Sequence, residues 1–259
     1  MPVLSVSALQ AYWSCPRRYA YAYEGGALKL PDSSAASARG SAVHLKLHQH
    51  VLQPQNPAPL AEQDPALWQR YQAEIASYQA PEWRCYSEWA CHVPLLPATE
   101  SAPALWLTGR LDRVYVHASG ERAVILDWKT GAGRPGPLNT LQLQAYAWLV
   151  WQARSLLQAV DLQQIEARAI WLEQDDQQLS QAYTPSELND LSGQWQAMLA
   201  DFYPLPEGLR VPRPRSDDDR VWCTMCEYQR LCPEGQHHAE RYERPDLLMQ
   251  TPGPDFSGL

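Results

Sequence analysis

The stretch AVILDWKTG, residues 123–131, decides how the fold is read. Residues suited to a buried strand run straight into Asp127, Trp128 and Lys129, and a Thr-Gly turn follows. Side chains alternate along a strand, so Asp127 and Lys129 point one way while Leu126 and Trp128 point the other. A carboxylate beside an ammonium at the end of a core strand has two explanations. One is a salt bridge at the solvent edge of a sheet. The other is a reactive site.

The flanking sequence bears on the choice. The run LTGRLDRVYV (107–116) joins the 123–129 strand through HASGER as a hairpin, which sets Asp112 beside the Asp127 strand. Carboxylates on neighbouring strands repel, and a hard divalent cation relieves the repulsion. Mg²⁺ and Mn²⁺ favour oxygen ligands. A lysine at such a site can stabilise charge developing on a phosphoryl oxygen. Upstream, GSAVH places His44 four residues after Gly40 on a helix, and an imidazole nitrogen can complete a metal shell.

Taken in order, G-x-x-x-H, G-R-L-D, I-L-D-W-K-T-G and Q-x-x-x-Y resemble the PD-(D/E)XK nuclease superfamily, and within it the RecB-type nuclease domains. The resemblance spans about residues 5–235. It implies an α/β fold: a restriction-endonuclease-like mixed sheet flanked by helices. It also matches His44, Asp112 and Asp127 to metal ligands for Mg²⁺ or Mn²⁺, with the Trp128 carbonyl as a further one, and Lys129 to the catalytic lysine. Gln142 and Tyr146, four apart on one helix face, match the Q-x-x-x-Y motif that contacts DNA near the site. A helix cap and a packing aromatic are the plain alternatives for these two. Glu88, in SEWACHV, falls where such nucleases often carry a helper acid, with a solvated strand residue as its alternative. His48 and His50 lack the motif spacing and are expected at the surface.

The net charge of −8 excludes a globally basic nucleic-acid binder. The acids are unevenly spread, however: residues 156–203 hold eight of them against Arg168 alone, so the rest of the chain is close to neutral. Arg17, Arg18, Arg110, Arg113, Arg134, Arg210, Arg213 and Arg215 are candidates for a local phosphate track. Asp217–Asp219 could instead pair with the last three. Eleven tryptophans allow base stacking or serve the core. No run approaches the ~20 apolar residues of a membrane span, and MPVLSVSALQ does not read as a secretory signal. No membrane partner and a cytoplasmic location are therefore expected.

The pattern predicts helices over 8–23 (capped by Ser7), 39–52, 64–79, 139–154 (boxed by Asn139 and Gln142) and 186–202. Strands are expected at 86–95, 104–116, 123–129 and 165–173. One nuclease domain is expected over 1–240, its core at about 38–175, with a disordered tail over 241–259.

WCTMCEYQRLCPEG supplies Cys223, Cys226 and Cys232, one thiolate short of a tetrahedral set, and Cys15 is the fourth candidate. Spacing alone does not separate zinc from iron–sulfur. An N-terminal cysteine with a C-terminal C-x₂-C-x₅-C resembles the iron–sulfur nucleases, including AddB-type domains and those of CRISPR adaptation. That implies a structural [4Fe–4S] cluster joining segments 1–24 and 204–240. Cys85 and Cys91 fall outside the pattern and are expected to be buried thiols.

These features point to a metal-dependent deoxyribonuclease, an exonuclease preferring single-stranded DNA or ends, in repair, recombination or CRISPR adaptation. Any helicase partner is expected to be a separate polypeptide. A DNA-end-binding or recruiting subunit with little cleavage of its own is the alternative. Its marker is a missing catalytic residue, and no motif residue is missing.

Overall fold

The computed structural model describes residues 2–24, 35–54, 59–100, 103–131, 133–174, 177–200, 223 and 226–232. Strand β1 (Val3–Ser5) runs directly into helix α1 (Val6–Ser14). Ser5, not Ser7, caps that helix, its Oγ accepting from the Ala8 N–H at 3.0 Å. The helix expected over 8–23 breaks at Cys15, whose backbone is extended at φ −164°. Pro16 is the cause, because proline disfavours helical backbone in the residue before it. Helix α2 (Pro16–Tyr19) and a π-helical turn (Ala20–Glu24) follow.

Helices α3 (Ala35–Leu52), α4 (Pro59–Gln63) and α5 (Pro65–Ile75) precede strands β2 (Trp83–Leu96), β3 (Leu105–His117) and β4 (Arg122–Lys129). Asp64 caps α5 by accepting from the Leu67 N–H at 3.2 Å, with Pro65 in the first helical position. Helix α6 (Pro137–Gln152), strands β5 (Gln164–Trp171) and β6 (Gln178–Tyr183) and helix α7 (Pro185–Ala200) complete the order. Helix α6 starts before the expected Asn139. The Asn139 side chain accepts from the Gly136 N–H at 3.0 Å, which leaves Gln142 free of any capping duty. Strand β6 was not expected: QLSQAY is polar and buries only its last residue, Tyr183.

The chain forms two compact units, Met1–Gln10 with Asp32–Glu207, and Ala11–Pro31 with Gly208–Leu259. In the first, six strands make one mixed sheet in the order β1-β3-β4-β5-β6, with β2 also paired to β3. Strand β2 runs antiparallel along the whole of β3. The other edge of β3 is shared. Strand β4 pairs with Arg113–Val116, and β1, running parallel, pairs with Trp106–Thr108. Between them, residues 109–112 (Gly-Arg-Leu-Asp) have no ladder partner on that edge among the described residues. The fork opened there positions the site.

Leu126 and Trp128 join Val43, Leu47, Leu67, Tyr71 and Ile170 in a core formed with α3–α5. Trp128 is 1% exposed and meets Tyr71 edge-on at 5.3 Å. Alternation then puts Asp127 on the opposite face, where α6 lies. Gly109 lets α6 approach closely, since a Cβ there would stand 2.5 Å from Leu149 Cδ1.

In the second unit, Tyr21 stacks on Tyr228 at 5.5 Å and donates through its hydroxyl to the Leu231 carbonyl at 3.3 Å. Arg18 pairs with Glu227 at 3.1 Å. These contacts hold the segment after Cys15 against residues 226–232.

Candidate metal and cleavage site

Strand register brings three acids level. Ser87 opposite Arg113 and Trp89 opposite Leu111 set Glu88 across from Asp112. The β3–β4 ladder ends at Arg113 opposite Leu126, so Asp127 comes next to Asp112 on the other side. The row Glu88, Asp112, Asp127 thus crosses three strands at the mouth of the fork. With the ladder finished, the Trp128 N–H donates to Asp112 Oδ2 at 2.7 Å. The other oxygen, Oδ1, lies 3.0 Å from His44 Nδ1 on α3.

His44, Glu88 and Asp112 each offer a ligand atom, and these atoms lie within 4.8 Å of one another. One imidazole nitrogen and carboxylate oxygens suit a hard divalent cation. Glu88 reaches this position from a left-handed backbone at φ +52°. Such a conformation costs a non-glycine residue about 1–3 kcal/mol and concentrates at functional sites.

Asp127 is 3% exposed. Lys129 Nζ lies 2.6 Å from its Oδ2. Gln142 ties the pair together: its Oε1 accepts from Lys129 Nζ at 2.7 Å, and its Nε2 donates to Asp127 Oδ1 at 3.3 Å and to Tyr146 Oη at 2.9 Å. Burial pushes the Asp127 carboxyl above the ordinary carboxylate range; Lys129 opposes the shift and Asp112 adds to it. Burial alone would pull His44 down. The hydrogen bond to Asp112 and the charges of Asp112, Asp127 and Glu88 outweigh it, and the imidazole is raised. Burial, then the Asp127 charge, keeps Tyr146 a protonated phenol. A cluster that holds its protons in this way is one a cation would relieve.

Gln142 and Tyr146 share a face of α6 as expected, but they hold Asp127 and Lys129 in a partly buried network. Arg110 is exposed, with Nη1 3.7 Å from Glu88 Oε2. Arg113 corrects the expected phosphate track. It is 1% exposed and donates to the Leu47 carbonyl at 3.2 Å and to Tyr71 Oη at 3.3 Å. Alternation explains this: with Asp112 turned to the site, Arg113 must face the core. Arg17 is also buried, its Nη1 3.7 Å from Cys232 Sγ. Arg210, Arg213 and Arg215 lie outside the described residues.

The histidines and one of the two unmatched cysteines also differ from expectation. His50 packs edge-on against Trp68 and Tyr71 at 4.8 and 5.6 Å. His48 lines the same cavity as His44, and its Nδ1 lies 2.8 Å from Ser87 Oγ. Their i, i+4 spacing was the available signal. Cys85 is exposed, not buried. Cys91 is buried, which pushes its thiol up to about 12. Cys15, Cys223, Cys226 and Cys232 all belong to the second unit. There the Cys226 N–H donates to the Cys223 carbonyl at 3.4 Å. Burial raises the Cys226 thiol, with the Glu227 charge and then Cys15 adding to the shift and a backbone hydrogen bond from Tyr228 and the Arg18 charge opposing it.

The family model of the PD-(D/E)XK nuclease superfamily matches residues 3–233. The chain belongs to this superfamily. Its fold is similar to the crystal structure of SSO0001, with a TM-score of 0.50 and 18% sequence identity over 89% of this chain and 85% of the other. No curated protein matches the sequence. No helix among the described residues is long and apolar enough to cross a membrane.

Proposed function

We propose that the protein is a Mg²⁺- or Mn²⁺-dependent deoxyribonuclease that digests single-stranded DNA from an end. The observation that carries this reading is the row Glu88, Asp112, Asp127 beside His44, with Lys129 in ion contact with Asp127. His44, Asp112, Asp127 and the Trp128 carbonyl would hold the cation, with Glu88 as a helper. A bound divalent cation supplies Lewis acidity toward the phosphodiester and an activated water. Lys129 is poised to neutralise charge that develops on the phosphoryl oxygen. Gln142 fixes the Lys129 ammonium and the Asp127 carboxylate in one geometry, and Tyr146 steadies Gln142. A single strand suits a chain with acids massed in 156–203 and near-neutral charge elsewhere, which lacks the broad basic excess that wrapping a duplex needs.

The second part of the reading is a structural [4Fe–4S] cluster on Cys15, Cys223, Cys226 and Cys232. It is supported by the place of all four cysteines in the second unit, where Tyr21 stacks on Tyr228, although their sulfur atoms do not form a ligand group among the described residues. Repair, recombination or CRISPR adaptation would use such an activity, with a separate helicase or adaptation proteins as partners.

The test is incubation of purified protein with linear and covalently closed circular single-stranded DNA, with Mg²⁺ or Mn²⁺ and with a chelator. Degradation of the linear form only, stopped by the chelator, is expected. Equal rates on both forms would remove the end requirement, and no cleavage with either cation would remove the nuclease reading.

A further inference from the structure

His48 lies one helical turn, about 6 Å, beyond His44 on α3. Both line a cavity of about 790 Å³, with Glu88, Arg110 and Asp112. Nothing in the metal cluster needs His48, since His44, Glu88 and Asp112 form the group of ligand atoms without it. Its ring is nevertheless fixed. Ser87 Oγ lies 2.8 Å from Nδ1, and Ser87 directly precedes the strained Glu88 on β2.

We propose that His48 and Arg110 form a second phosphate-binding position, which holds the phosphodiester next to the one being cut. The inference rests on the nuclease reading of the neighbouring row. A serine hydroxyl can donate to Nδ1. That places the ring proton on Nε2, where it can be donated to a phosphate oxygen. Arg110 adds a guanidinium at the rim of the same cavity, 72% exposed and held loosely by Glu88 at 3.7 Å. Glu88 and Asp112 would repel a phosphate placed beside them. The adjacent phosphate is therefore held by the donors one turn away, leaving the acids to the cation. Leu45, 56% exposed, and Ala90 provide apolar wall for the sugar and base.

Two measurements test this. Affinity for a labelled single-stranded oligodeoxynucleotide is measured in an Asp127→Asn background, which stops cleavage while leaving the position intact. Steady-state kinetics are measured on the otherwise native chain. His48→Ala is expected to weaken binding and raise KM about tenfold, with kcat within about twofold, as for loss of a hydrogen bond to a charged group. His48→Gln, which restores an N–H donor, should recover most of the loss. Ser87→Ala should cost about threefold by freeing the ring. Unchanged affinity in both His48→Ala and Ser87→Ala overturns the proposal. So does a loss confined to kcat, which would put His48 at the bond being cut. If the native chain cleaves nothing, the nuclease reading fails, yet the affinity comparison still decides whether His48 holds phosphate.

Discussion

The backbone N–H of Trp128 donates to Asp112 Oδ2 at 2.7 Å, taking up a ladder position that β3 no longer fills. Asp112 is thus a structural acceptor as well as a candidate ligand. Asp112→Ala leaves that amide and His44 without their acceptor, and is expected to destabilise the protein by about 1–3 kcal/mol. Asp112→Asn keeps an oxygen for Trp128 and should destabilise less. Both should abolish cleavage. Thermal unfolding in chelator, set beside a cleavage assay, separates the two effects; Asp112→Asn cutting at the parent rate would remove Asp112 from the ligand set.

Lys129 and Gln142 should differ in how they fail. Lys129→Ala removes the ammonium from beside a buried carboxylate, and cleavage should fall at least about 10²-fold. Gln142→Leu keeps both charged groups but frees their geometry, so kcat should fall about tenfold while DNA affinity stays near the parent value. A large loss of affinity in Gln142→Leu would mean that the Q-x-x-x-Y pair touches the strand directly.

Acid–base linkage at Asp127 gives a prediction about stability without metal. Burial raises this carboxyl above its ordinary value of 3.8, so the folded chain binds the proton more tightly than the unfolded one. Its contribution to stability is fully present below that ordinary value and is lost as pH rises through the raised folded value. His44, raised from 6.5, acts in the same sense at higher pH. Metal-free protein should therefore be most stable in mild acid. Asp127→Asn should be the more stable protein at pH 8, with the advantage closing toward the carboxylate range. A divalent cation needs Asp127 charged and His44 neutral, so added Mn²⁺ should reverse the trend. Melting curves across pH, with and without Mn²⁺, decide it; an Asp127→Asn variant less stable than the parent at pH 8 would contradict the linkage.

How much of this could be read from the chain depended on range. Strand alternation was enough to turn Asp127 and Lys129 the same way, and a hairpin brought Asp112 beside them. Alternation also held the information that Arg113 faces inward, although its charge suggested a surface. The fork itself was not legible. It depends on a three-residue strand, Val3–Ser5, pairing about a hundred residues downstream, and so short a run has no period to detect. The cap at Ser5, by contrast, is a local bond to the amide three residues on, and Ser5 and Ser7 competed for it in the sequence.

Gly109 should be intolerant of a side chain. A Cβ there meets Leu149 Cδ1 at 2.5 Å and Val6 Cγ2 at 3.3 Å, and Leu149 is wholly buried. Gly109→Val forces α6 away from β3 and should destabilise by about 1–3 kcal/mol. Because α6 carries Gln142 and Tyr146, cleavage should fall in parallel even below the melting temperature. Chemical denaturation and activity at low temperature report the two losses; full activity at parent stability would show that α6 yields without cost.

The cysteines permit a test that does not depend on cleavage. Protein purified without oxygen should be brown and carry about four irons per chain. Cys15 stands alone in sequence, about two hundred residues from its proposed partners, so its bond would close by far the longest loop. The cost of that closure grows only slowly with length. Cys15→Ala should therefore lose iron and melt lower, as should Cys232→Ala. Cys91→Ala removes a buried thiol of the first unit and should keep its full iron. Iron content, visible absorbance and melting temperature measured on the three variants give the answer. Colourless protein holding one zinc would replace the cluster with a tetrahedral metal site. Equal iron in Cys15→Ala and the parent would free Cys15 from any ligand role.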